Sequence, residues 1–375
     1  MPILPHAALR LVELPYKQAE VLVATTWECN LRCSYCFVQK HSLKSDGDYM
    51  SPDLAVRLID ALDEGMTHVE KICIHLYGGE SLINLPAIEA MLNRSQEKGA
   101  GRFSFAITTN GTCISDSAID LLGAGRFHVI LSIDGPPVIH DKHRRTTDGS
   151  PTHSIVMQFL RKLRSHTNCS IRGSAVISSG WRLLEATEYL RTLPVDFIKA
   201  QVVRLPPGSP YALSKEEKYA YMEDLETIGL QVVNELEAGK MPRDDRFSSR
   251  VLQLLKGERR QSFCGAGNII FGINPRGDVF PCILIGMENN ILGNVKDDPQ
   301  NWIQAGQRWR TSRSLRKECK ACSFLHLCGG GCPALISVCG ANECDFIRKN
   351  CEVAVAIFDH FRSNQEALLA LAGIT

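Results

Sequence analysis

The chain has 375 residues, 44% of them hydrophobic and 22% charged, and a formal net charge of +1. This length and composition exclude a minimal scaffold and a wholly disordered chain. The balanced charge, without a basic run interleaved with aromatic residues, argues against nucleic acid as the main partner. The N-terminus lacks the features of a secretory signal, and no stretch has the length of a membrane helix. We therefore expect a cytoplasmic protein that does not associate with membranes.

The 15 cysteines are unevenly distributed. Three lie between positions 29 and 36, and nine lie between positions 264 and 351. Because a reducing compartment seldom keeps disulfides, clustered cysteines in such a protein indicate metal binding. The distribution therefore predicts two metal-binding regions. The scattered Cys73, Cys113 and Cys169 are expected to be buried as small apolar side chains.

Strand-like and helix-like segments alternate in the first half of the chain. The strand-like segments are Val21 to Trp27, Ile72 to Tyr77, Phe103 to Thr109, His128 to Ile133, Cys169 to Ile177 and Phe197 to Leu205. Helical patterns lie at 52–62, 85–98, 115–123, 152–165 and 181–193, the first with Ser51 as a capping residue before Pro52. This alternation predicts an α/β fold with a parallel sheet, either open and doubly wound or closed into an incomplete barrel.

A concentration of proline and glycine at 205–210 ends the alternation. A charged helical pattern follows at 214–238, and the chain is rich in cysteine and glycine from Cys264 onward. We predict a first domain over residues 1–210, a helical linker over 211–263, and a cysteine-rich domain over 264–375 that ends in a helix.

The first cysteine group, Cys29, Cys33 and Cys36, directly follows the first predicted strand. Three thiolates at the carboxyl end of a strand can bind three irons of a four-iron cluster and leave the fourth iron open to a ligand. A structural zinc site normally has four ligands, and His41 is the only further candidate near by. The pattern therefore favours a catalytic iron–sulfur cluster over zinc.

This segment resembles the Cys-x3-Cys-x-aromatic-Cys signature of the radical S-adenosylmethionine (SAM) superfamily, with Tyr35 as the aromatic residue. The resemblance implies a partial (β/α)6 barrel of the TIM type and so selects the barrel over the open sheet. It also implies a 4Fe–4S cluster that cleaves SAM to a 5′-deoxyadenosyl radical. An external low-potential electron donor would reduce that cluster.

Further segments at predicted strand ends resemble SAM-binding elements of the superfamily. The implied cofactor-binding residues are Tyr35, Gly78, Gly79, Glu80, Asn110, Ser132, Asp134 and Arg144. The glycines permit close backbone approach, Glu80 would receive the SAM ammonium, and Arg144 would contact the SAM carboxylate. Asn110 and Asp134 each precede a glycine, so a role as plain turn residues is also open.

The second cysteine group resembles the seven-cysteine SPASM extension of radical SAM enzymes, with Gly277 at the expected place. The resemblance implies two auxiliary iron–sulfur clusters of the 4Fe–4S type. The outer cluster would be bound by Cys319, Cys322, Cys328 and Cys351, and the inner one by Cys264, Cys282 and Cys332. The inner set lacks a fourth cysteine. Either its iron is open, or Cys339 or Cys344 completes it, or both spare cysteines are simply buried.

The resemblance implies a maturase that oxidises a peptide or protein, and we predict a cross-link in a ribosomally synthesised (RiPP) peptide. Sulfatase maturases, which form formylglycine, carry an Asp as base directly after the second SPASM cysteine, where this chain has Ile283, and Trp-Gln where it has Leu76-Tyr77. Alternatives are such a sulfatase maturase, a peptide epimerase or a small-molecule dehydrogenase. A non-enzymatic iron–sulfur or zinc protein would not need Gly-Gly-Glu.

The segment before the first predicted strand is too short for a fused leader-binding domain of the winged-helix type. We therefore expect either a separate leader-recognition protein or direct binding of the peptide by the barrel and the extension. His75, on the second predicted strand, is expected to be a hydrogen-bonded structural side chain that can reach the barrel interior.

Overall fold

The computed structural model describes residues 18–36, 38, 48–99, 101–206, 208–285, 288–339 and 344–373, without the side chains of 288 and 337–339. Within these ranges nine strands form one sheet. They are β1 (Gln18–Val23), β2 (Lys71–Leu76), β3 (Phe103–Thr109), β4 (His128–Ser132), β5 (Ser170–Ile177), β6 (Phe197–Val202), β7 (Ile270–Ile273), β8 (Asp278–Phe280) and β9 (Gly293–Asn294).

The strand order is β6-β5-β4-β3-β2-β1-β7-β8-β9, and the first six strands pair in parallel with their neighbours in the chain. A doubly wound sheet reverses its strand order part of the way along the chain, and this sheet does not. Six parallel strands wound in one direction are those of an incomplete barrel, so the predicted fold class is confirmed.

Helices connect the parallel strands and continue after them. They are α1 (Pro52–Gly65), α2 (Leu85–Glu97), α3 (Asp116–Ala124), α4 (Pro137–His143), α5 (His153–His166), α6 (Leu183–Arg191), α7 (Lys215–Glu237), α8 (Ser248–Lys256), α9 (Pro299–Thr311), α10 (Lys317–Lys320), α11 (Leu325–Cys328), α12 (Pro333–Cys339), α13 (Cys344–His360) and α14 (Gln365–Leu371). Ser51 caps α1 as predicted by accepting a hydrogen bond from Leu54 N (3.2 Å). None of the described helices is long and apolar enough to cross a membrane.

Alternate residues of the parallel strands face opposite sides of the sheet. On one side, side chains such as Val21, Ile74 and Val129 are fully buried against the helices. The other side faces the barrel interior and is unusually polar. The polar side chains lining this interior include Glu20, His75, Thr108, His128, Arg172, Lys199 and Gln201.

The cysteine-rich region is joined to the barrel by main-chain pairing. β7 pairs in parallel with β1, with Glu20 opposite Ile270 and Val23 opposite Ile273, and β8 and β9 extend the sheet in antiparallel fashion. Helix α13 packs on α7, where a Cβ at Gly229 would lie 2.3 Å from Val353 Cγ1. The short strands β7 to β9 and the helices α4, α8 and α9 to α12 have no counterpart in the predicted elements.

Candidate functional site

A cavity of about 1220 Å³ occupies the barrel interior and reaches the loops at the carboxyl ends of the strands. Its lining includes Cys29, Cys33 and Cys36 from the loop after β1. Seven of the eight predicted cofactor-binding residues also line it, namely Tyr35, Gly78, Gly79, Glu80, Asn110, Ser132 and Arg144. The eighth, Asp134, lies behind Arg144 and is only 1% exposed. The sequence motifs thus converge on one end of one cavity.

The Gly-Gly-Glu segment packs directly against the first cysteine loop. Gly79 N donates to Thr26 O (3.2 Å), and Glu80 N donates to Glu28 O (2.8 Å). A Cβ on Gly79 would lie 2.1 Å from Glu28 O, a distance that no side chain tolerates. Glycine at this position is therefore required by the close approach of two backbones.

The three thiols of this loop are neighbours within a mostly buried environment. Burial raises the pKa of Cys29 to about 12 and that of Cys33 to about 11, and the thiols perturb one another electrostatically. Cys29 Sγ also accepts hydrogen bonds from Leu31 N (3.4 Å) and Asn110 Nδ2 (3.7 Å). Buried thiolates require a compensating cation, and N–H donors to sulfur are typical of cluster ligands, so these residues fit an iron–sulfur cluster.

Glu80 ties the ends of β2 and β3 together from a fully buried position. Its Oε1 accepts from Thr109 Oγ1 (2.9 Å) and Leu82 N (3.2 Å), while its Oε2 accepts from Asn110 N (2.8 Å). Burial raises the pKa of Glu80, and these three donors partly offset the rise. Both oxygens already have protein partners, so Glu80 organises the loop that carries Asn110 in addition to lining the cavity.

Asn110 has the turn role that the sequence left open, and its side chain also reaches the cysteine loop. Its Oδ1 accepts from Thr112 N (2.9 Å), the pattern of an Asx turn, and the next residue, Gly111, has a left-handed φ of 70°. Its Nδ2 donates to Asn30 Oδ1 (2.9 Å) and reaches Cys29 Sγ. Asn110 is therefore a turn residue that also contacts the cysteine loop.

Asp134 orients the one arginine at the cavity mouth that the motifs predicted. Its Oδ2 accepts from Arg144 Nε (3.0 Å) and from the Tyr35 hydroxyl, and its Oδ1 accepts from Val176 N (3.0 Å). Burial acts to raise the pKa of Asp134, but the positive Arg144 and the hydrogen bonds outweigh it and lower the pKa. Within the described residues, Nε is the one guanidinium nitrogen of Arg144 that makes a hydrogen bond, which leaves its Nη atoms to an anion such as a carboxylate.

Helix α4 and its histidines connect Arg144 to the cysteine loop, a link that the motifs did not reveal. His143 Nδ1 lies 2.7 Å from Ser34 Oγ, and its Nε2 lies 3.1 Å from Ser178 Oγ. Asp141 Oδ1 accepts from Thr152 N and His153 N, both at 2.8 Å, and so holds the start of α5. The His-Asp-x-x-Arg segment thus positions the loop as well as presenting its arginine.

The inner cysteines Cys264, Cys282 and Cys332 are mutual electrostatic neighbours, and burial raises the pKa of Cys282 to about 12. Next to them, Ile283 is 1% exposed and packs in an apolar cluster with Trp27. Cys36 and Tyr77 border this cluster. The residue that replaces the acid of sulfatase maturases is therefore buried between the inner cysteines and the first cysteine loop.

The outer cysteines also lie together. Cys351 is fully buried beside Cys322 and Cys328, and Cys319 Sγ approaches Gly330 O (3.9 Å) just after Cys328. Positive side chains surround them. Arg250 Nε donates to Cys351 Sγ (3.2 Å), Arg260 lies near Cys328 and Cys351, and Arg316 lies near Cys319.

Three consecutive glycines separate the outer Cys328 from the inner Cys332. Gly329, Gly330 and Gly331 have left-handed φ values of 77°, 92° and 85°. A Cβ on Gly329 would lie 2.3 Å from the backbone carbon of Ser262, two residues before Cys264. This segment therefore allows the chain to pass from one cysteine group to the other against a closely packed backbone.

Cys339 and Cys344, which belong to neither the outer nor the inner group, differ in what the structure describes of them. Cys344 Sγ lies 2.7 Å from Arg316 Nη2, on the side of Cys319, and is not among the electrostatic neighbours of the inner cysteines. The side chain of Cys339 lies outside the described residues. No three described His, Cys, Asp or Glu side chains are close enough to hold one metal ion. Each cysteine group is therefore defined by the proximity of its thiols and not by metal-coordination distances.

The remaining sequence predictions concern single side chains. His75 lies in the barrel interior and is hydrogen-bonded on both nitrogens, to Glu20 Oε1 (3.0 Å) and Thr108 Oγ1 (2.9 Å). Cys169 is buried and donates to Leu122 O (3.2 Å). Cys73 instead lines the cavity. Cys113, half-buried, lies near Cys29 and Glu80, a proximity that the sequence did not indicate.

Comparison with known families identifies the class of protein. The model of the Radical SAM superfamily matches residues 24–198, and that of the SPASM iron-sulfur cluster-binding domain matches residues 264–323. The chain therefore contains a radical SAM domain followed by a SPASM domain and is an enzyme of the radical SAM SPASM type. Its cofactors are those of the family, SAM and iron–sulfur clusters.

The chain is similar to a serine-type anaerobic sulfatase-maturating enzyme of Bacteroides thetaiotaomicron, with 26% identity over 81% of this chain and 80% of the relative. The solved structure of anSMEcpe with bound AdoMet and Kp18Cys peptide superimposes with a TM-score of 0.78 at 21% identity, over 93% of this chain and 100% of that one. Streptococcus suis SuiB bound to the precursor peptide SuiA gives 0.61 at 16% identity, over 85% and 73%. The fold is thus shared with enzymes that bind peptides.

Proposed function

We propose that this radical SAM SPASM-type maturase oxidises a peptide substrate and forms a cross-link in it, without the carboxylate base of sulfatase maturases. The observation that carries the proposal is Ile283, an aliphatic side chain packed against Trp27 directly after Cys282. An aliphatic group cannot accept a proton, and its tight packing leaves no place for a base there. Both solved relatives described above were crystallised with peptides, which supports a peptide substrate.

In this proposal Cys29, Cys33 and Cys36 hold the first cluster, and Arg144 binds the SAM carboxylate through its free Nη atoms. Asp134 fixes the guanidinium, and Glu80 with Asn110 holds the neighbouring loop against Cys29. When bound, the cluster and SAM supply abstraction of a hydrogen atom from a substrate carbon. The buried loop around the thiols limits access of water to this end of the cavity.

The SPASM cysteines complete the proposed arrangement. Cys319, Cys322, Cys328 and Cys351 would hold an outer cluster, and Cys264, Cys282 and Cys332 an inner one. The contact between Cys344 and Arg316 supports an inner set of three cysteines over one completed by Cys344. A cytoplasmic location, a separate low-potential electron donor and a separate leader-recognition protein belong to the same proposal.

Formylglycine formation in a sulfatase is the second candidate. The similarity to a sulfatase-maturating enzyme over most of both chains favours it. It requires another group to act as the base that Ile283 cannot be. Tyr77 borders the cluster of Ile283, but burial raises its pKa, which keeps the hydroxyl protonated and unable to accept the proton.

Anaerobic incubation of the reconstituted enzyme with reductant, SAM and any short peptide that a neighbouring gene encodes would test the proposal. We expect 5′-deoxyadenosine together with loss of two hydrogens from the peptide, and fragmentation would locate the new bond. A peptide of unchanged mass that has gained solvent deuterium would contradict the cross-link and establish epimerisation. Conversion of a sulfatase-derived peptide in place of the neighbouring one would establish the second candidate.

A cysteine variant provides the control. Replacing Cys29, Cys33 and Cys36 together by Ala should abolish SAM cleavage while the SPASM region keeps its iron. Retained cleavage would overturn the assignment of these residues.

A further inference from the structure

The inward face of β6 and the turn after it present two cations to the barrel cavity. Lys199 and Gln201 are two residues apart on the strand and therefore share a face, and both line the cavity together with Arg204. Arg204 Nη2 donates to Gln201 Oε1 (3.2 Å), which fixes the guanidinium beside the strand. The two cations lie within electrostatic range of each other.

These cations lack partner carboxylates, unlike the other charged groups around them. Arg172 is paired with Asp245, and Arg246 with Asp244 at 2.6 Å. In the described parts of the chain, Lys199 makes no hydrogen bond or ion pair and Arg204 bonds only the neutral Gln201.

The acidic groups near Lys199 are already engaged elsewhere. Asp245 and Glu20 are its acidic electrostatic neighbours. Asp245 is bound to Arg172, and Glu20 is bound to His75 at 3.0 Å. Lys199 and Arg204 are partly buried and line the cavity, and an anionic ligand there would supply the partner that the described carboxylates do not.

The position of Lys199 and Arg204 in the cavity indicates which molecule carries that anionic group. Arg204 lies within electrostatic range of Tyr77 and Cys282, between the first cysteine loop and the inner cysteines. Arg144, the arginine suited to the SAM carboxylate, also lies within electrostatic range of Tyr77, but its guanidinium is held by Asp134 over the ring of Tyr35. A substrate entering the cavity therefore meets Lys199 and Arg204 as cations separate from the pair Arg144–Asp134.

We propose that Lys199 and Arg204 bind a carboxylate of the peptide substrate and so select the residue that lies next to SAM. This inference rests on the proposed peptide substrate and deepens it. The carboxylate belongs either to an Asp or Glu side chain or to the peptide C-terminus. Arg204 offers a planar donor fork held by Gln201, and Lys199 offers a point charge deeper in the interior.

Binding of three randomised peptide pools to the reconstituted enzyme with SAM tests the subsite and separates the two sources. The first pool contains Asp and Glu and has an amidated C-terminus. The second lacks both acids and has a free C-terminus, and the third has neither kind of carboxylate. Retained peptides are quantified by mass spectrometry after ultrafiltration. We expect one of the first two pools to be retained about 10- to 100-fold better than the third.

The variants Lys199→Met and Arg204→Gln should each lose most of this preference and keep the affinity for SAM. Both substitutions remove an unmatched charge, so neither is expected to unfold the chain. The matched control is Lys240→Met, which removes one positive charge from an exposed site after α7 and should keep the preference. Retained SAM affinity also reports that each variant is folded.

Several outcomes would overturn the subsite. Equal retention of all three pools by the unmodified enzyme removes the subsite and leaves the peptide substrate standing. Loss of SAM affinity in the Arg204 variant would assign that residue to SAM, and equal loss of preference in the Lys240 variant would reduce the effect to overall charge. Retention of no pool at all would overturn the peptide substrate and the subsite with it.

Discussion

Glu80→Gln is expected to destabilise the chain even when no ligand is bound. The carboxylate accepts three hydrogen bonds through two oxygens, whereas a glutamine offers one oxygen and an NH2 group. Either orientation of the amide leaves a buried N–H of Asn110 or Leu82 facing another donor. A buried donor without an acceptor costs about 1–3 kcal/mol. Removing a buried charge recovers part of that cost, since burial raises the pKa of Glu80. The net expectation is roughly 1–3 kcal/mol.

Thermal unfolding without SAM measures this effect. For a chain of 375 residues, a loss of that size corresponds to a fall of roughly 1–4 °C in the transition temperature. The matched control is Glu89→Gln, an exposed residue on α2 a short distance along the same segment, which should leave the transition unchanged. An unchanged transition for Glu80→Gln, combined with lost SAM affinity, would refute the structural role and leave Glu80 as a ligand contact alone.

Three further predictions concern other parts of the molecule. Burial lowers the pKa of His140 to about 4 from 6.5, so the unfolded chain binds the extra proton. The free energy of unfolding should therefore fall by up to about 3 kcal/mol as the pH drops from 6.5 to about 4. His140→Gln should weaken the dependence of the unfolding temperature on pH between about pH 6.5 and 5. Ile283→Asp should lower the unfolding temperature far more than Ile283→Val, which costs about 1 kcal/mol, and equal effects would contradict tight packing against Trp27. Arg250→Met removes the hydrogen-bond donor to Cys351 and should make the midpoint potential of the outer cluster more negative in a redox titration. An unchanged potential would show that this hydrogen bond does not tune the cluster.

Much of the barrel could be predicted because its signals are local. The third predicted strand, Phe103 to Thr109, has the observed bounds, since alternation and flanking breakers lie within the strand itself. The first strand was predicted as Val21 to Trp27 but runs over Gln18–Val23. Thr25 and Trp27 are apolar or β-branched and continue the pattern, yet Thr25 O accepts from Met50 N (2.8 Å) in a loop contact. Hydropathy cannot distinguish that burial from strand pairing.

The candidate site likewise contains residues that the sequence predicts and residues that it misses. Cys29, Gly79 and Arg144 are found from sequence because fixed spacing at strand ends is visible in one dimension. The partnership of His143 with Ser34 and Ser178 depends on where α4 docks, and three separated segments carry no joint pattern. Side chains of the barrel interior, including Lys199, are missed because a polar residue in a strand usually faces solvent.

The pairing of β7 with β1 has a consequence for the chain's integrity. Glu20 N donates to Ile269 O and Ala24 N donates to Ile273 O, both at 2.9 Å. A chain cut before Cys264 would expose these groups along β1, creating an open strand edge that recruits other chains into aggregates. The same bonds join the segment that carries the inner cysteines to the barrel through the backbone, so a shared sheet sets the spacing between those cysteines and the first cysteine loop.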